Sequence, residues 1–273
     1  MVGRAIDDKS PDTLVVVSGE GFWTGSSTLP HLHHFFAPAA RRQRGSPVET
    51  NPRTSLTIAL TSRRIGLLGL ASVAVILTGM VVTAVPYRGY SGEAYSPLNH
   101  FVSELGEVAA SRLAWVFNLG IILGGLGLGS FLMLVSRELT GRYRSAFAVA
   151  ATVAGVSGTL VGVYPMDYLT THRVVSLAFF LSGWIVAAIF SLWLLTGPKP
   201  RFSRLLLAPG GLVVALSLTF IGVYSTYHPA SPDARILDRP GVWTVPLLEW
   251  ASLLSLLLWL ACVALVLLRR PSE

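Results

Sequence analysis

Six long apolar runs, separated by polar segments, dominate the pattern of hydrophobic and polar positions from residue 63 onward. They cover residues 65–85, 112–135, 145–163, 174–195, 205–224 and 245–268, and ionisable side chains are nearly absent inside them. Each is close to the roughly 20 apolar residues that a helix needs to cross the hydrocarbon core of a bilayer. The pattern therefore predicts an all-α membrane protein, with a bundle of six transmembrane helices over residues 63–270.

Residues 1–62 have a different character, because they are polar and rich in Pro, Gly, Ser and Thr. A segment of this kind buries too little apolar surface to fold, so we predict a disordered cytoplasmic tail. It lacks the charged start and uninterrupted apolar core of a secretory signal peptide. An alternative is that translation starts downstream, so that part of this segment is absent from the mature protein.

The first connection between apolar runs carries the most distinctive polar pattern. Ser96 followed by Pro97 is typical of a helix start, and Gly106 is placed to end that helix. Apolar residues recur on one side at helical spacing, and the other side carries Asn99, His100, Ser103, Glu104 and Glu107. This alternation predicts a short amphipathic helix in the first outer loop, lying at the membrane interface.

Composition and charge set the environment and the orientation. Of the residues, 52% are hydrophobic and 13% charged, too few charges to cover the surface of a soluble domain of this size. The net charge is +7, and the arginines lie mainly in connections that alternate along the chain, beside apolar runs. This is the positive-inside pattern, and it predicts a multi-pass protein of the cell membrane with both termini cytoplasmic. The lipid bilayer is the expected partner, and nucleic acid is not.

Polar groups with chemical potential gather in the connections predicted on the outer side. The candidate site residues are Asn99, His100, Ser103, Glu104, Glu107, Asn118, Asp167, His172, His228 and Glu249. Three neutral imidazoles, those of His100, His172 and His228, are a sufficient ligand set for a catalytic zinc with an open position. They come from three separate connections without a local metal motif, so the alternative is that these groups cap helix ends. We predict no cofactor and keep zinc as the alternative.

Several of these residues stand in recognisable motifs. They are Ser-Pro-Leu-Asn-His-Phe-Val-Ser-Glu-Leu-Gly at 96–106, Phe-Asn at 117–118, and Val-Gly-Val-Tyr-Pro-Met-Asp at 161–167 followed by His172. With them the chain resembles a bacterial integral membrane family known as domain of unknown function 998, over roughly residues 65–268. The resemblance implies a six-helix membrane bundle and leaves its activity unassigned.

Three classes of function remain. The first is a membrane protein whose outer polar cluster binds a lipid head group, a small ligand or another membrane protein. The second is a membrane-embedded, metal-dependent hydrolase acting at the outer interface, and the third is a small transporter. Transport normally places ionisable residues near the midplane, where these runs are apolar and rich in Gly. We therefore favour binding, while the sequence leaves open whether the protein is an enzyme.

Overall fold

The computed structural model describes residues 52–197, 201–226 and 239–270, except for the side chains of residues 52–60. The described residues belong to one compact unit, Glu49–Glu273, and contain no β-strand. They form six long helices: α1 (Pro52–Ala84), α2 (Ala114–Ser136), α3 (Gly141–Val163), α4 (Leu169–Thr196), α5 (Leu207–Thr226) and α6 (Thr244–Leu268). All six are long and apolar enough to cross a membrane, which confirms the predicted fold.

The helices form a closed ring in chain order. Each packs against its neighbour in the sequence, and α6 packs against α1. Short connections, such as residues 137–140 between α2 and α3, make neighbouring helices run antiparallel. The ring therefore has two ends, each formed by alternate connections.

Contacts between distant segments define these two ends. We call the end formed by the connection 85–113 and the turn between α3 and α4 the polar end. There the Val108 amide donates to Asp167 at 2.9 Å. At the arginine end, Arg270 pairs with Glu138 at 3.0 Å. Connections that the sequence predicted to lie on one side of the membrane thus meet at one end of the ring.

Glycines bring α2 and α3 into close contact. A Cβ atom on Gly129 would lie 2.9 Å from the Cα of Gly155, and one on Gly125 would lie 2.7 Å from the Thr159 amide nitrogen. In lipid, no hydrophobic driving force pulls helices together, so dispersion contacts between closely packed backbones must do so. Substituting any of these glycines would push the two backbones apart.

Helices α1, α3 and α4 begin several residues earlier than the apolar pattern indicated. Helix α1 starts at Pro52, inside the range assigned to the tail, while residues 1–51 lie outside the described residues. The tail therefore stays a prediction. A 3₁₀ turn, Met166–Tyr168, leads directly into α4, so His172 lies in the first turn of the helix. The chain tolerates a His there because its ring bonds to the end of α3, as described below.

The short helix of the first connection exists, but it is a 3₁₀ helix restricted to Val102–Gly106. All five of its residues are buried, so the prediction that Ser103 and Glu104 face the interface was wrong. Carboxylates take up its first amides: Glu104 accepts from the Phe101 amide at 3.0 Å, and Glu249 from the Val102 amide at 2.6 Å. These bonds hold the segment down on the ring instead of letting it lie along the membrane.

Gly106 ends this helix for a reason other than a left-handed backbone. Among the described residues the left-handed glycines are Gly92 and Gly141. A Cβ atom on Gly106 would collide with the Asn118 side chain and with the ring of Phe117. The absence of a side chain therefore lets the connection lie directly on α2, where Asn118 donates to the Gly106 carbonyl at 2.9 Å.

Candidate functional site

A buried ion pair joins the first connection to the segment before α6. The Arg239 Nη1 atom lies 3.0 Å from Glu104 Oε2 and 3.1 Å from Oε1. The two side chains are only 12% and 6% exposed, and the same Nη1 also donates to the Asn99 carbonyl at 2.9 Å. Burial raises the pKa of Glu104 above its ordinary value, and the Arg239 guanidinium opposes that rise. The pair ties together two segments that are distant in the sequence.

His100 sits beside this pair, enclosed by aromatic rings. It is 2% exposed, with its ring centroid 5.5 Å from that of Tyr87 and 5.1 Å from that of Tyr95. Its Nδ1 atom lies 2.8 Å from Asn99 Oδ1, while Nε2 has no hydrogen-bond partner and lies 3.7 Å from Glu93 Oε1. Burial lowers the pKa of His100, and the positive charge of Arg239 acts in the same direction. The imidazole is therefore neutral near pH 7.

The remaining contacts of this region fasten it to the ring. Tyr95 donates its hydroxyl proton to the Phe101 carbonyl at 2.9 Å, and the Trp250 indole donates to the Tyr95 hydroxyl at 3.1 Å. Burial raises the pKa of the Tyr95 hydroxyl, so it stays a hydrogen-bond donor at physiological pH. We call this set of side chains the rim network: Tyr87, Tyr95, Asn99, His100, Glu104, Arg239 and Trp250. Its polar groups mostly satisfy one another, which is the behaviour of a structural element.

A cavity of about 330 Å³ opens beside the rim network, between α4, α5 and α6. Its lining combines apolar side chains with six polar ones at the polar end of the ring, among them Ser103, His172, Ser176 and Glu249. The guanidinium-bearing side chain of Arg173 lines it as well. Val174 and Leu177 also line the cavity and are 65% and 40% exposed, so it reaches the outer surface of the ring.

His172 has a fixed tautomer in this cavity. Its Nδ1 atom lies 2.7 Å from the carbonyl oxygen of Tyr164 at the end of α3, and its Nε2 atom lies 3.1 Å from Ser176 Oγ. A carbonyl oxygen only accepts hydrogen bonds, so Nδ1 of a neutral ring carries the proton and Nε2 is an acceptor. The Ser176 hydroxyl therefore donates to Nε2. The Tyr164 carbonyl, otherwise left without a partner at a helix end, is satisfied by this arrangement.

Glu249 lies where this cavity adjoins a second one. The second cavity, of about 70 Å³, runs along the inside of the ring and is almost entirely apolar. The two share Ser103, Ser176, Phe180 and Glu249 in their linings. Glu249 is 7% exposed and accepts from the Val102 amide, so the 3₁₀ helix forms the lid over this junction. A cavity with several polar side chains in its lining thus adjoins one that is almost entirely apolar.

The predicted site residues separate into three groups. Asn99, His100 and Glu104 belong to the rim network, and Ser103, His172 and Glu249 line the cavity. Glu107, Asn118 and Asp167 hold the first connection in place: Glu107 accepts from the Tyr90 hydroxyl at 2.7 Å, and Asp167 from the Val108 amide. His228 lies outside the described residues.

The predicted zinc set is not testable on the described part of the chain. There, no group of three or more His, Cys, Asp and Glu side chains is close enough to hold a metal ion. His100 is enclosed by the rim network and His172 lines the cavity, while the third member of the set, His228, is not described. The zinc alternative stays a prediction.

Sequence reasoning missed two residues that organise the site. Arg239 lies in a connection on the side of the bundle where basic residues are few. The only sign of its pairing in the sequence was the presence of several carboxylates in the connections of the same side. Ser176 lies four positions after His172, the spacing at which side chains of one helix meet, but it was absorbed into an apolar run.

The fold and the site define a polytopic membrane protein, a six-helix ring with a polar-ended cavity between three of its helices. Residues 72–266 match the family described as protein of unknown function, DUF998, and the chain belongs to that family. This confirms the resemblance drawn from the sequence motifs. No curated protein and no solved structure matches the chain.

Proposed function

We propose that this protein binds an amphipathic lipid-like ligand, with its polar head in the cavity between α4, α5 and α6. The observation that carries the proposal is the junction of two unlike cavities. The larger one carries His172 in its lining besides apolar side chains, the smaller one is almost entirely apolar, and both share Ser103, Ser176 and Glu249. A head group finds hydrogen-bond partners in the first, and the start of an acyl chain finds apolar surface in the second.

The size and the access of the larger cavity support this proposal. Its volume of about 330 Å³ falls in the range of small-molecule sites, roughly 300–1,000 Å³. Because Val174 and Leu177 are exposed along its edge, a ligand enters sideways from the bilayer. The rim network is a poorer candidate, since its polar groups are already engaged with one another.

The position of α4 across a bilayer supports it further. The stretch Met166–Thr196 has 31 residues, which is about 46 Å at 1.5 Å per residue. The hydrocarbon core is about 30 Å thick, so a centred helix extends about 8 Å beyond it on each side. His172, about 9 Å along this stretch, then lies near the boundary between head groups and hydrocarbon. Lipid head groups are linked to their acyl chains at this depth.

We further propose that the polar end faces outward from the cell membrane and that both termini are cytoplasmic. The support is the arginine content of the opposite end, which carries residues such as Arg137, Arg142 and Arg204 in its connections or in the adjoining helix ends. Positive charge is retained on the cytoplasmic side during insertion. The head group bound in the cavity then belongs to the outer leaflet.

Native mass spectrometry of the purified protein with an added diether phospholipid of defined chain length, which has no acyl ester bond, tests the binding proposal. We expect one retained lipid per chain and weaker retention in Ile221→Trp, which fills the cavity. Overpacking of this kind costs about 1–3 kcal/mol, or roughly 5- to 150-fold in affinity. Leu218→Trp is the matched control, because Leu218 is 47% exposed on the same helix and lies outside the lining. Equal retention in both variants, or none in the wild type, contradicts the proposal.

A further inference from the structure

We infer that Ser176 and His172 form an acyl-transfer dyad that cleaves an ester bond of the bound lipid. This inference rests on the proposed function, because it requires a lipid ester in the same cavity. Ser176 Oγ lies 3.1 Å from His172 Nε2, within the range expected for a nucleophile and its general base. The base is oriented in turn by a third group, the Tyr164 carbonyl, at 2.7 Å from Nδ1.

The hydroxyl of Ser176 has a different partner from those of other helical serines in this protein. Ser182, on the same helix, donates to the carbonyl of Ala178 at 2.6 Å, and Ser157 on α3 donates to the carbonyl of Val153 at 2.6 Å. This return bond to the preceding turn is the ordinary way for a Ser to satisfy itself within a helix. Ser176 instead bonds to an imidazole nitrogen that is fixed as an acceptor.

Both members of the dyad reach the cavity. His172 is 5% exposed and Ser176 is half-buried, and both belong to the lining of the 330 Å³ space. Arg173 lines the same space, and its guanidinium is a hydrogen-bond donor for negative charge developing on a substrate oxygen, while the Ser103 hydroxyl donates to Met166 Sδ at 3.1 Å. The rim network offers no comparable arrangement, because its His100 Nε2 atom has no hydroxyl partner.

The reaction balances with water as the only co-reactant. Ser176 Oγ attacks the ester carbonyl carbon while His172 Nε2 takes the hydroxyl proton, and the imidazolium is stabilised through Nδ1–H by the Tyr164 carbonyl. The tetrahedral intermediate collapses, the bond to the lipid alcohol breaks, and Nε2 returns the proton to that alcohol. Water then gives a proton to Nε2 and adds as hydroxide to the acyl carbon. The acyl–Oγ bond breaks, Ser176 regains its proton, and a fatty acid leaves.

An alkyl fluorophosphonate, which phosphonylates activated serines, tests this inference on the full chain in detergent. We expect a single adduct, mapped to Ser176 by peptide mass spectrometry, and slow hydrolysis of a p-nitrophenyl acyl ester. General-base assistance contributes about 10²- to 10⁴-fold, so His172→Gln should slow labelling by roughly that factor. Ser176→Ala should abolish it. Ser182→Ala is the matched control and should label like the wild type.

Lipid retention, measured as above, separates this inference from the binding proposal. Ser176→Ala should retain phospholipid while losing the adduct, since the hydroxyl is a small part of the cavity wall. If the wild type retains lipid but Ser176 stays unlabelled, the dyad is overturned and the binding proposal stands. Labelling that Ser182→Ala loses as fully as Ser176→Ala also overturns the dyad. The wild-type measurements are decisive even if a variant fails to fold. A wild type that neither retains lipid nor is labelled overturns both the binding proposal and the dyad.

Discussion

Replacing Arg239 with Met removes the positive partner from the buried ion pair and leaves the Glu104 carboxylate enclosed. Glu104 is 6% exposed on its side chain, so solvent does not compensate the lost charge. The Asn99 carbonyl loses its donor at the same time. Removing one partner of a buried pair typically costs about 3–5 kcal/mol, because the remaining charge is desolvated without compensation.

The wild-type chain carries its own reporter for this measurement. Cys262 is the single cysteine, lies half-buried in α6, and becomes accessible to a thiol-reactive dye on unfolding. For a domain of this size 1 kcal/mol corresponds to about 2–4 °C in Tm, so we expect Arg239→Met to melt roughly 6–20 °C lower. Arg88→Met is the control, since Arg88 is exposed and its guanidinium bonds only to the carbonyl of the preceding residue.

The pH dependence of this variant gives a second, independent readout. Without Arg239, the Phe101 amide still opposes the effect of burial but the guanidinium no longer does, so the pKa of Glu104 in the folded state rises further above its unfolded value. A raised carboxyl pKa means that the folded state binds more protons, and its stability then increases as pH falls. The Tm deficit at pH 8 should therefore shrink toward pH 5. The double variant Arg239→Met with Glu104→Gln should recover much of the deficit at pH 8.

Two results would refute this reasoning. One is a Tm of Arg239→Met equal to that of Arg88→Met, which would mean that the pair contributes no more than an exposed arginine. The other is a deficit that stays constant with pH and is not relieved by Glu104→Gln. That outcome would assign the loss to packing of the Arg239 stem rather than to the stranded charge.

Two further predictions use the same dye assay. Gly129→Ala should lower Tm, because its Cβ atom would lie 2.9 Å from the Gly155 Cα, and overpacking costs about 1–3 kcal/mol. Gly211→Ala has open space around it and should leave Tm unchanged or raise it. The depressed pKa of His100 means that the folded state resists its protonation, so this group's contribution to stability is lost as pH falls below about 6.5. The Tm difference between wild type and His100→Gln should therefore narrow between pH 8 and pH 5, and a constant difference would contradict the assignment.

The six helices were predictable because the bilayer leaves a chain few choices. A backbone crossing lipid must satisfy its own hydrogen bonds, so long apolar runs become helices, and their number follows from hydropathy. The meeting of the outer connections was predictable as well, since antiparallel helices bring alternate connections to one end. Val108 and Asp167 illustrate this, because they belong to the first and the third connection between helices and are in contact.

The pairing of side chains within that end was not predictable. Arg239 and Glu104 are 135 residues apart, and no local pattern links them. The prediction of an amphipathic helix in the first outer loop also failed at Glu104, because it assumed that polar side chains turn toward water. A buried guanidinium and unpaired backbone amides provided an alternative to water, and a sequence pattern does not register such partners.

The polar end therefore contains two kinds of polar group with different consequences. Those of the rim network, such as Glu104 and Arg239, are paired, and their arrangement fixes the 3₁₀ helix Val102–Gly106 on the ring. That helix places Ser103 over the cavity and occupies one oxygen of Glu249 with the Val102 amide. The cavity groups, such as His172 and Ser176, line open space. The rim network determines the position of the 3₁₀ helix that covers the cavity, and the side chains that line the cavity determine which ligand it binds. A charged residue of the rim network can therefore control ligand binding without touching the ligand.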